Sequence, residues 1–345
     1  MLKALAVVFY EGLVDDHSII GSLSAILRVV AASRVILFSG IISKYRRLKI
    51  LDKLHNPPRR WDPLYFIVYK YYLCRDFTFQ DRLQCAMNHY EHEENVYRDE
   101  YFEQIQTING ITLWESVIDS VHFNLALTTT DSNRQEGELS VTLCADNIKL
   151  CMMSFCYINA DIFGLRSNVT MLISRNQTYM ATAGGRGKFD RRFKGAAPQF
   201  FCLFAVCGIA TSNGFQNILG IRHDLQIAYD TNHELGFRHS YSDLWEKFGG
   251  VNVNGRIYLL EVPPKLSPLA LVNPTHRRRA LYRRRIWHEI AQSACAALDR
   301  YRASPRQAEP LPSRSFSEYG HHADPRRRAA AAAGQDRADG PIRIE

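Results

Sequence analysis

The segment from Arg175 to Ala197 combines residue types that bind phosphate groups. It follows an apolar run, Val169–Ser174, and it precedes Pro198, a residue typical of the first position of a helix. A loop that leaves a strand and enters a helix places free backbone N–H groups at the positive end of the helix dipole. Glycines let the backbone approach an anion closely, and cationic side chains add charge. The pattern predicts a phosphate or pyrophosphate site, with these candidates: Arg175, Gly185, Gly187, Lys188, Arg191 and Arg192.

Two common phosphate motifs do not fit this segment. No Ser or Thr follows Lys188 and the upstream glycine is missing, which excludes a Walker A loop. The GxGxxG pattern is also absent, which excludes a dinucleotide-binding fingerprint. The alternative is a mobile surface loop that binds nothing.

Three other residues are candidates for catalysis. His223 follows the predicted strand Ile218–Ile221, and the carboxyl ends of strands are where crevices hold functional groups. An imidazole in that place could act as a general base near neutral pH. Glu138 is the alternative base, and Asp243 could orient a substrate amine. For His223 the alternative is a structural, hydrogen-bonded histidine.

No metal site is predicted. His89 and His92 lie three residues apart on a predicted helix beside Glu93, but HExxH and a third ligand are absent, so we expect an exposed polar helix. The eight cysteines form no CxxC, and most lie in apolar runs. We expect buried, reduced thiols rather than a zinc site or a disulfide framework.

Positive charge is concentrated in three clusters, although the whole chain carries only +8. Residues 44–60, 184–194 and 276–302 carry net charges of +6, +4 and +6, which leaves the rest of the chain near −8. Local clusters on an acidic body indicate particular anionic partners, while solvated surfaces remain the alternative. Arg277, Arg278 and Arg279 would oppose the dipole of a helix that starts at Pro274, and a lipid headgroup or phosphate would relieve this. Nucleic acid is a weaker candidate because aromatic residues do not alternate with the basic ones.

The pattern of elements predicts an α+β protein. Residues 1–105 read as a helical N-terminal portion, in which Ile19–Val30 and Phe79–Tyr97 have helical spacing. Residues 106–302 read as a mixed sheet domain: antiparallel strands, a strand–helix–strand unit around a helix at Pro198–Thr211, and a closing basic helix from Pro274. Residues 303–345 are rich in Ala, Arg, Pro, Ser and Gly, which predicts a disordered tail.

No secretory leader or membrane span is expected. Glu11, Asp15 and Asp16 follow the first ten residues, and Arg28 and Arg34 interrupt the most apolar stretch. We therefore expect a cytoplasmic protein that could lie at the periphery of the inner membrane.

Three stretches resemble the VirK/YbjX family of enterobacterial and related proteins. They are Glu136-Gly137-Glu138-Leu139, the run from Tyr241 to Gly250, and Arg277–Tyr282 followed by Arg283–Arg285. The resemblance covers about Leu48 to Arg302, most of the chain. It implies a role in virulence and in tolerance of antimicrobial peptides, through the state of the envelope or of lipid A. It brings no catalytic residue to this sequence.

The order of elements is also similar to the N-acetyltransferase (GNAT) fold, which holds the pyrophosphate of acyl-CoA at a strand–loop–helix junction. The Arg/Gln-x-x-Gly-x-Gly/Ala pattern of that fold is absent, since Thr182 stands where the Arg or Gln is expected. Two functions stay open. One is a VirK-like protein with GNAT-like acyl transfer, for which acyl-CoA is the expected cofactor. The other is a non-enzymatic peripheral module that binds anionic lipid or phosphate through clusters 44–60 and 277–285.

Overall fold

The computed structural model describes residues 33–53 except 35, residue 67, and residues 71–303 except 131–133, 167 and 180–182. These residues belong to a compact unit, Met1–Arg306. The helix predicted over Ile19–Val30 and the tail predicted from 303 lie outside the described residues, the tail except for Ala303. The domain boundaries near 105 and 302 stay predictions.

In the described part of the chain, four helices with defined bounds precede the sheet. They are α1 (Ser39–Tyr45), α2 (Lys49–Lys53), α3 (Phe79–Val96) and α4 (Asp99–Ile105). Helix α3 starts with a capping box, in which Thr78 and Asp81 each bond the other's backbone N–H. Its residues Leu83, Met87 and Tyr90 are buried, as their spacing predicts, and the helix packs on strand β4 (Ile148–Asn159).

The sheet has eight strands in the order β1-β2-β3-β4-β5-β6-β8-β7. The other strands are β1 (Ile111–Ile118), β2 (Val121–Thr129), β3 (Leu139–Ala145), β5 (Val169–Thr178), β6 (Asn217–Ile221), β7 (Val251–Val253) and β8 (Ile257–Glu261). Asp146 and Asn147 both have positive φ and form the predicted hairpin turn between β3 and β4. Neighbouring strands are antiparallel except β5 and β6, which are parallel. The predicted α+β class is confirmed.

The predicted crossover between β5 and β6 contains two helices rather than one. Helix α6 (Pro198–Ser212) is almost entirely buried, as its apolar composition predicts. The prediction of a glycine-rich loop is wrong in part, because residues 175–178 continue β5 and Ala183–Arg192 form helix α5. The reason lies in Phe189 and, one turn later, Phe193, which pack on Phe123 and Phe201 and anchor the segment.

Two short helices, α7 (Glu234–Ser240) and α8 (Ser242–Lys247), follow β6, and the long helix α9 (Pro274–Asp299) is the last one described. Helix α9 packs against α6 and also reaches β1, where Trp114 Nε1 donates to Glu289 at 3.0 Å. No described helix combines the length and the apolar character that crossing a bilayer requires.

Candidate functional site

Strands β5 and β6 separate soon after they meet. They pair at Leu172 with Leu219 and at Ile173 with Gly220, and β5 then continues to Thr178. The chain after β6 turns away through a short 3-10 helix, His223–Leu225. The divergence opens the sheet at the carboxyl ends of its parallel pair, the place where α/β sheets bind ligands.

A pocket of about 480 Å³ lies at this divergence, and we call it the Arg175 pocket. Strand β5, the segment before β3, and the chain from Gln226 to Tyr241 build its wall. The lining residues are Glu136, Arg175, Asn176, Gln177, Gln226, Ala228, His233, Gly236, Phe237, Ser240 and Tyr241.

A buried ion pair forms the polar part of the pocket. Arg175 Nε lies 3.2 Å from Glu136 Oε2, and both side chains are only 9% exposed. The second carboxylate oxygen of Glu136 accepts a hydrogen bond from Gln226 Nε2 at 2.5 Å, and Arg175 also donates to Gln177. An ion pair this deep persists only when its remaining polar atoms are bonded, and these contacts provide that.

Tyr241 and Asn176 close the other side of the pocket. The Tyr241 hydroxyl oxygen accepts the Asn176 backbone N–H at 3.0 Å, and Asn176 Nδ2 donates to the Ser240 carbonyl at 2.7 Å. Burial raises the pKa of Tyr241, so the phenol stays protonated at neutral pH. Because its oxygen is the acceptor in that bond, its own hydrogen remains available as a donor.

Glycine allows two close approaches around this site. Gly137 has φ +139°, and a Cβ there would lie 2.8 Å from Phe155 N, so glycine lets the segment that carries Glu136 approach β4. At Gly220 a Cβ would lie 2.5 Å from the Trp245 ring, whose Nε1 donates to the Ile221 carbonyl at 2.8 Å. Trp245 thereby fixes α8, and Tyr241 just before it, on β6.

The predicted catalytic residues do not line the pocket. His223 Nδ1 lies 2.8 Å from Ser242 Oγ, an arrangement typical of a structural histidine. Glu138 is buried two residues past Glu136 and accepts the Tyr72 hydroxyl at 2.8 Å. Asp243 lies at the surface beside Arg238.

The predicted anion-binding residues separate into two groups. Arg175 lies in the pocket, whereas Gly185, Gly187, Lys188, Arg191 and Arg192 lie on α5, and no described residue of α5 lines the pocket. Lys188 Nζ bonds Asp146 Oδ2 at 2.6 Å, the main reason that the pKa of Asp146 is lowered. Arg192 contacts the Tyr282 hydroxyl at 2.8 Å, Gly187 is exposed, and Arg191 is exposed without an ion pair among the described residues.

The prediction of an exposed polar helix around His89 is wrong. His89 and Glu93 are buried, with His89 Nε2 at 3.3 Å from Glu93 Oε2. Tyr157 N–H donates to His89 Nδ1 and the Tyr101 hydroxyl donates to Glu93, so each of the two side chains keeps a hydrogen-bond partner inside the core. Among the described residues no group of three or more His, Cys, Asp or Glu could hold a metal ion.

Glu136 and Gln226 are the residues that the sequence did not single out. Glu136 belongs to the Glu136–Leu139 stretch of the family resemblance. The neighbouring Gly137 is the sequence feature that could have indicated it, because a segment that packs closely on a strand needs the backbone freedom of glycine. No sequence pattern indicates Gln226, since its role depends on a hydrogen bond to Glu136, which lies 90 residues earlier in the chain.

One family match covers most of the chain. The family described as protein of unknown function (DUF535) matches residues 51–293, which include every residue that lines the Arg175 pocket. None of the curated proteins matches the chain.

Proposed function

The chain belongs to the DUF535 family of proteins of unknown function, and from this premise we propose that it is an acyl-CoA-dependent transferase whose acceptor binds in the Arg175 pocket. The observation that carries the proposal is the buried Glu136–Arg175 pair at the point where the parallel strands separate. Buried charged groups that face a pocket are frequent at functional sites.

The sheet topology supports acyl transfer. Antiparallel strands lead to one parallel pair joined by a helical crossover, an order similar to the GNAT fold. Thr178 Oγ1 lies 3.3 Å from Gln199 Oε1, so the end of β5 lies beside the start of α6. An extended thioester arm could follow the strand edge that β6 leaves, since extended ligands bind along sheet edges.

The pocket residues suit the two proton transfers of this reaction. An acceptor amine or hydroxyl attacks the thioester carbonyl, so that an amide or ester bond forms and the carbon–sulfur bond breaks. Glu136 accepts the proton that the acceptor loses, because a carboxylate has lone pairs beyond those that Arg175 and Gln226 occupy. Tyr241 donates its hydroxyl proton to the leaving thiolate, and proton return from Glu136 through solvent restores both groups.

The residues predicted for the CoA pyrophosphate do not fit that role together. Lys188 bonds Asp146 in the turn between β3 and β4, Arg192 bonds Tyr282 on α9, and Arg175 is neutralised by Glu136. We therefore assign the donor phosphates to no residue and derive no step through them.

The resemblance to VirK/YbjX proteins supplies the proposed biological setting. The Glu136–Leu139 stretch of that resemblance contributes Glu136 to the pocket, and the Tyr241–Gly250 stretch contributes Tyr241. We place the protein in the cytoplasm at the inner face of the envelope, where acylation of an envelope amine or hydroxyl would support antimicrobial-peptide tolerance.

Ligand-induced stabilisation and thiol release test the proposal. Acetyl-CoA and decanoyl-CoA are titrated against the full chain, and a donor at 100 times its Kd should add about 2.7 kcal/mol to the free energy of unfolding. Release of the CoA thiol is then followed with ethanolamine as a simple acceptor. Glu136→Gln should lower kcat/KM by about 100-fold or more, and Tyr241→Phe by about tenfold.

A matched carboxylate outside the pocket provides the control. Glu261→Gln, which removes an exposed pair with Lys265, should leave thiol release unchanged. Asp243→Asn tests the role that the sequence alone predicts for Asp243. If Asp243 orients the acceptor, this variant should lose activity; if the reaction takes place in the Arg175 pocket, its activity should be unchanged. If the folded full chain is stabilised by neither acetyl-CoA nor decanoyl-CoA, the proposal is contradicted.

A second candidate function is a non-enzymatic module that binds anionic lipid or phosphate through clusters 44–60 and 277–285. Arg278, Arg279 and Arg285 favour it, because all three are exposed and form no ion pair among the described residues. Arg277 does not, since it donates to the carbonyls of Val272 and Ala270 and so has a structural role.

A further inference from the structure

Two basic clusters that are far apart in the sequence meet on one surface. Arg192 of α5 lies over the ring of Tyr282 on α9, 5.3 Å from its centre, and also bonds its hydroxyl. Arg283 NH1 donates to the Lys194 carbonyl at 3.0 Å. Clusters 184–194 and 276–302 therefore form a single basic region rather than two separate sites.

The cations in this region are crowded. Burial, followed by the guanidinium groups of Arg279 and Arg284, lowers the pKa of Arg283. Burial and then Arg283 lower the pKa of Lys247 on α8. Acidic partners are few in the described part of this region: Asp119 lies 3.6 Å from Arg192, Asp190 pairs with Arg186, and Asp146 pairs with Lys188. The region thus keeps a strong positive potential that an external anion would neutralise.

Apolar side chains are exposed among these cations. Arg278, Leu281, Tyr282 and Arg285 follow the spacing i, i+3, i+4, i+7, which places them on one face of α9. Leu281 is 55% exposed, and Leu271, in the turn just before α9, is 79% exposed. Exposed leucines next to unpaired arginines are the composition of an interfacial membrane helix.

We infer that this α5–α9 surface, formed by Arg192, Arg278, Leu281, Tyr282 and Arg285, docks on an anionic lipid bilayer. The arginines bind lipid phosphates while the aliphatic side chains enter the headgroup boundary. Nucleic acid fits less well, because aliphatic side chains gain nothing from a phosphate backbone and a single exposed tyrosine provides no stacking series. The inference develops the second candidate function, on which it rests, and it is independent of the Arg175 pocket.

Vesicle co-sedimentation of the full chain tests the surface. Vesicles of phosphatidylcholine with 30% phosphatidylglycerol, roughly a bacterial level of anionic lipid, are compared with pure phosphatidylcholine at low and high salt. We expect binding only with the anionic lipid and weaker binding in salt. Arg278→Gln with Arg285→Gln should weaken partitioning about 30-fold, since each cation contributes roughly fivefold near an anionic surface. Leu281→Ser should weaken it further at high salt.

The matched control neutralises two exposed cations outside the basic clusters, Arg238→Gln with Lys265→Gln, and should bind as the unchanged protein does. A second variant, Lys44→Gln with Lys49→Gln, neutralises two exposed cations of cluster 44–60. If that second variant loses binding and the α9 variant keeps it, the inference fails while a lipid-binding module survives. If no vesicle binds at low salt, or an RNA oligonucleotide binds in place of vesicles, both fail. Equal melting temperatures for all variants ensure that a loss reflects binding.

Discussion

At the residue scale, Glu136 and Arg175 form the buried ion pair of the Arg175 pocket. Removing one partner leaves the other charged and nearly without solvent, with side-chain exposures of only 9%. Glu136→Ala should therefore lower the free energy of unfolding by about 3 kcal/mol.

The double variant Glu136→Leu with Arg175→Met should recover most of this loss, because buried pairs replaced by apolar residues often cost little. Urea denaturation of the three proteins measures the difference. A double variant as unstable as the single one would show that Gln226 and Gln177, which also bond the pair, dominate its energetics.

His92 gives the protein a specific pH dependence. Burial lowers its pKa to about 4, although the hydrogen bond to Asn213 and the nearby Glu93 carboxylate oppose this shift. In the unfolded chain the pKa is about 6.5, so between these values the unfolded state binds more protons and stability rises with pH. Acidification from pH 7 to 5 should cost about 2 kcal/mol from this group.

His92→Gln keeps a donor for Asn213 and cannot titrate, so its stability should depend less on pH over that interval. Chemical denaturation at pH 5, 6 and 7 compares the two proteins. Identical slopes would contradict a neutral buried imidazole.

At the element scale, the contact of α6 with α9 depends on one glycine. A Cβ on Gly208 would lie 2.3 Å from the Ala291 carbonyl oxygen and 2.7 Å from Ala294 Cβ. Gly208→Ala should destabilise the protein by about 2 kcal/mol, because the two helices must move apart. This loss outweighs the gain in helix propensity of about 1 kcal/mol.

Gly187→Ala is the matched helical control. Nothing lies within 4 Å of a Cβ at that position on α5, so the change should stabilise by up to about 1 kcal/mol. Urea midpoints of the two variants should shift in opposite directions. If the urea midpoint of Gly208→Ala shifts in the same direction as that of Gly187→Ala, α6 and α9 can move apart without loss of stability.

Most elements could be predicted from the sequence, because their local signals were unambiguous. The hairpin at Asp146-Asn147, the start of α6 at Pro198 and the buried face of α3 are each confirmed. Helix α5 was missed because glycines and charges obscured a single apolar contact face that Phe189 and Phe193 provide. The burial of His89 does not follow from the sequence, because the Tyr157 N–H that bonds its Nδ1 comes from a strand 68 residues further along the chain.

The pocket could be predicted only in part. Its charge beside the predicted strand points to Arg175, which does line the pocket. Proximity in the sequence adds Lys188 and Arg192 to the same site, whereas helix α5 directs them toward Asp146, Asp119 and Tyr282. The members that complete the wall, Glu136 and Gln226, come from distant parts of the chain and could not be joined without the fold.

At the scale of the whole molecule, the last described residues are bound to parts of the chain that lie about 90 to 200 residues earlier. Arg98 N–H donates to the Tyr301 carbonyl, Ala303 N–H to the Val96 carbonyl, and Arg302 NH1 to the Ser212 carbonyl. Truncation after Arg306, where the compact unit ends, should change the melting temperature by less than about 2 °C.

Truncation after Arg300 removes these bonds and should cost about 3 kcal/mol, at roughly 1 kcal/mol for each hydrogen bond. Differential scanning calorimetry compares the two truncated chains with the full one. A large loss for truncation after Arg306 would show that residues 307–345 contribute to stability.

The same bonds set an order of events during synthesis. The end of α3 receives its partners from residues that lie about 200 positions further along the chain. At a ribosomal rate of roughly 5–20 residues per second, this seam waits on the order of ten seconds or more before it can close. Until then the Arg98 N–H and the Val96 carbonyl bond water, so the junction between α3 and α4 is completed only after the last described residues have been synthesised.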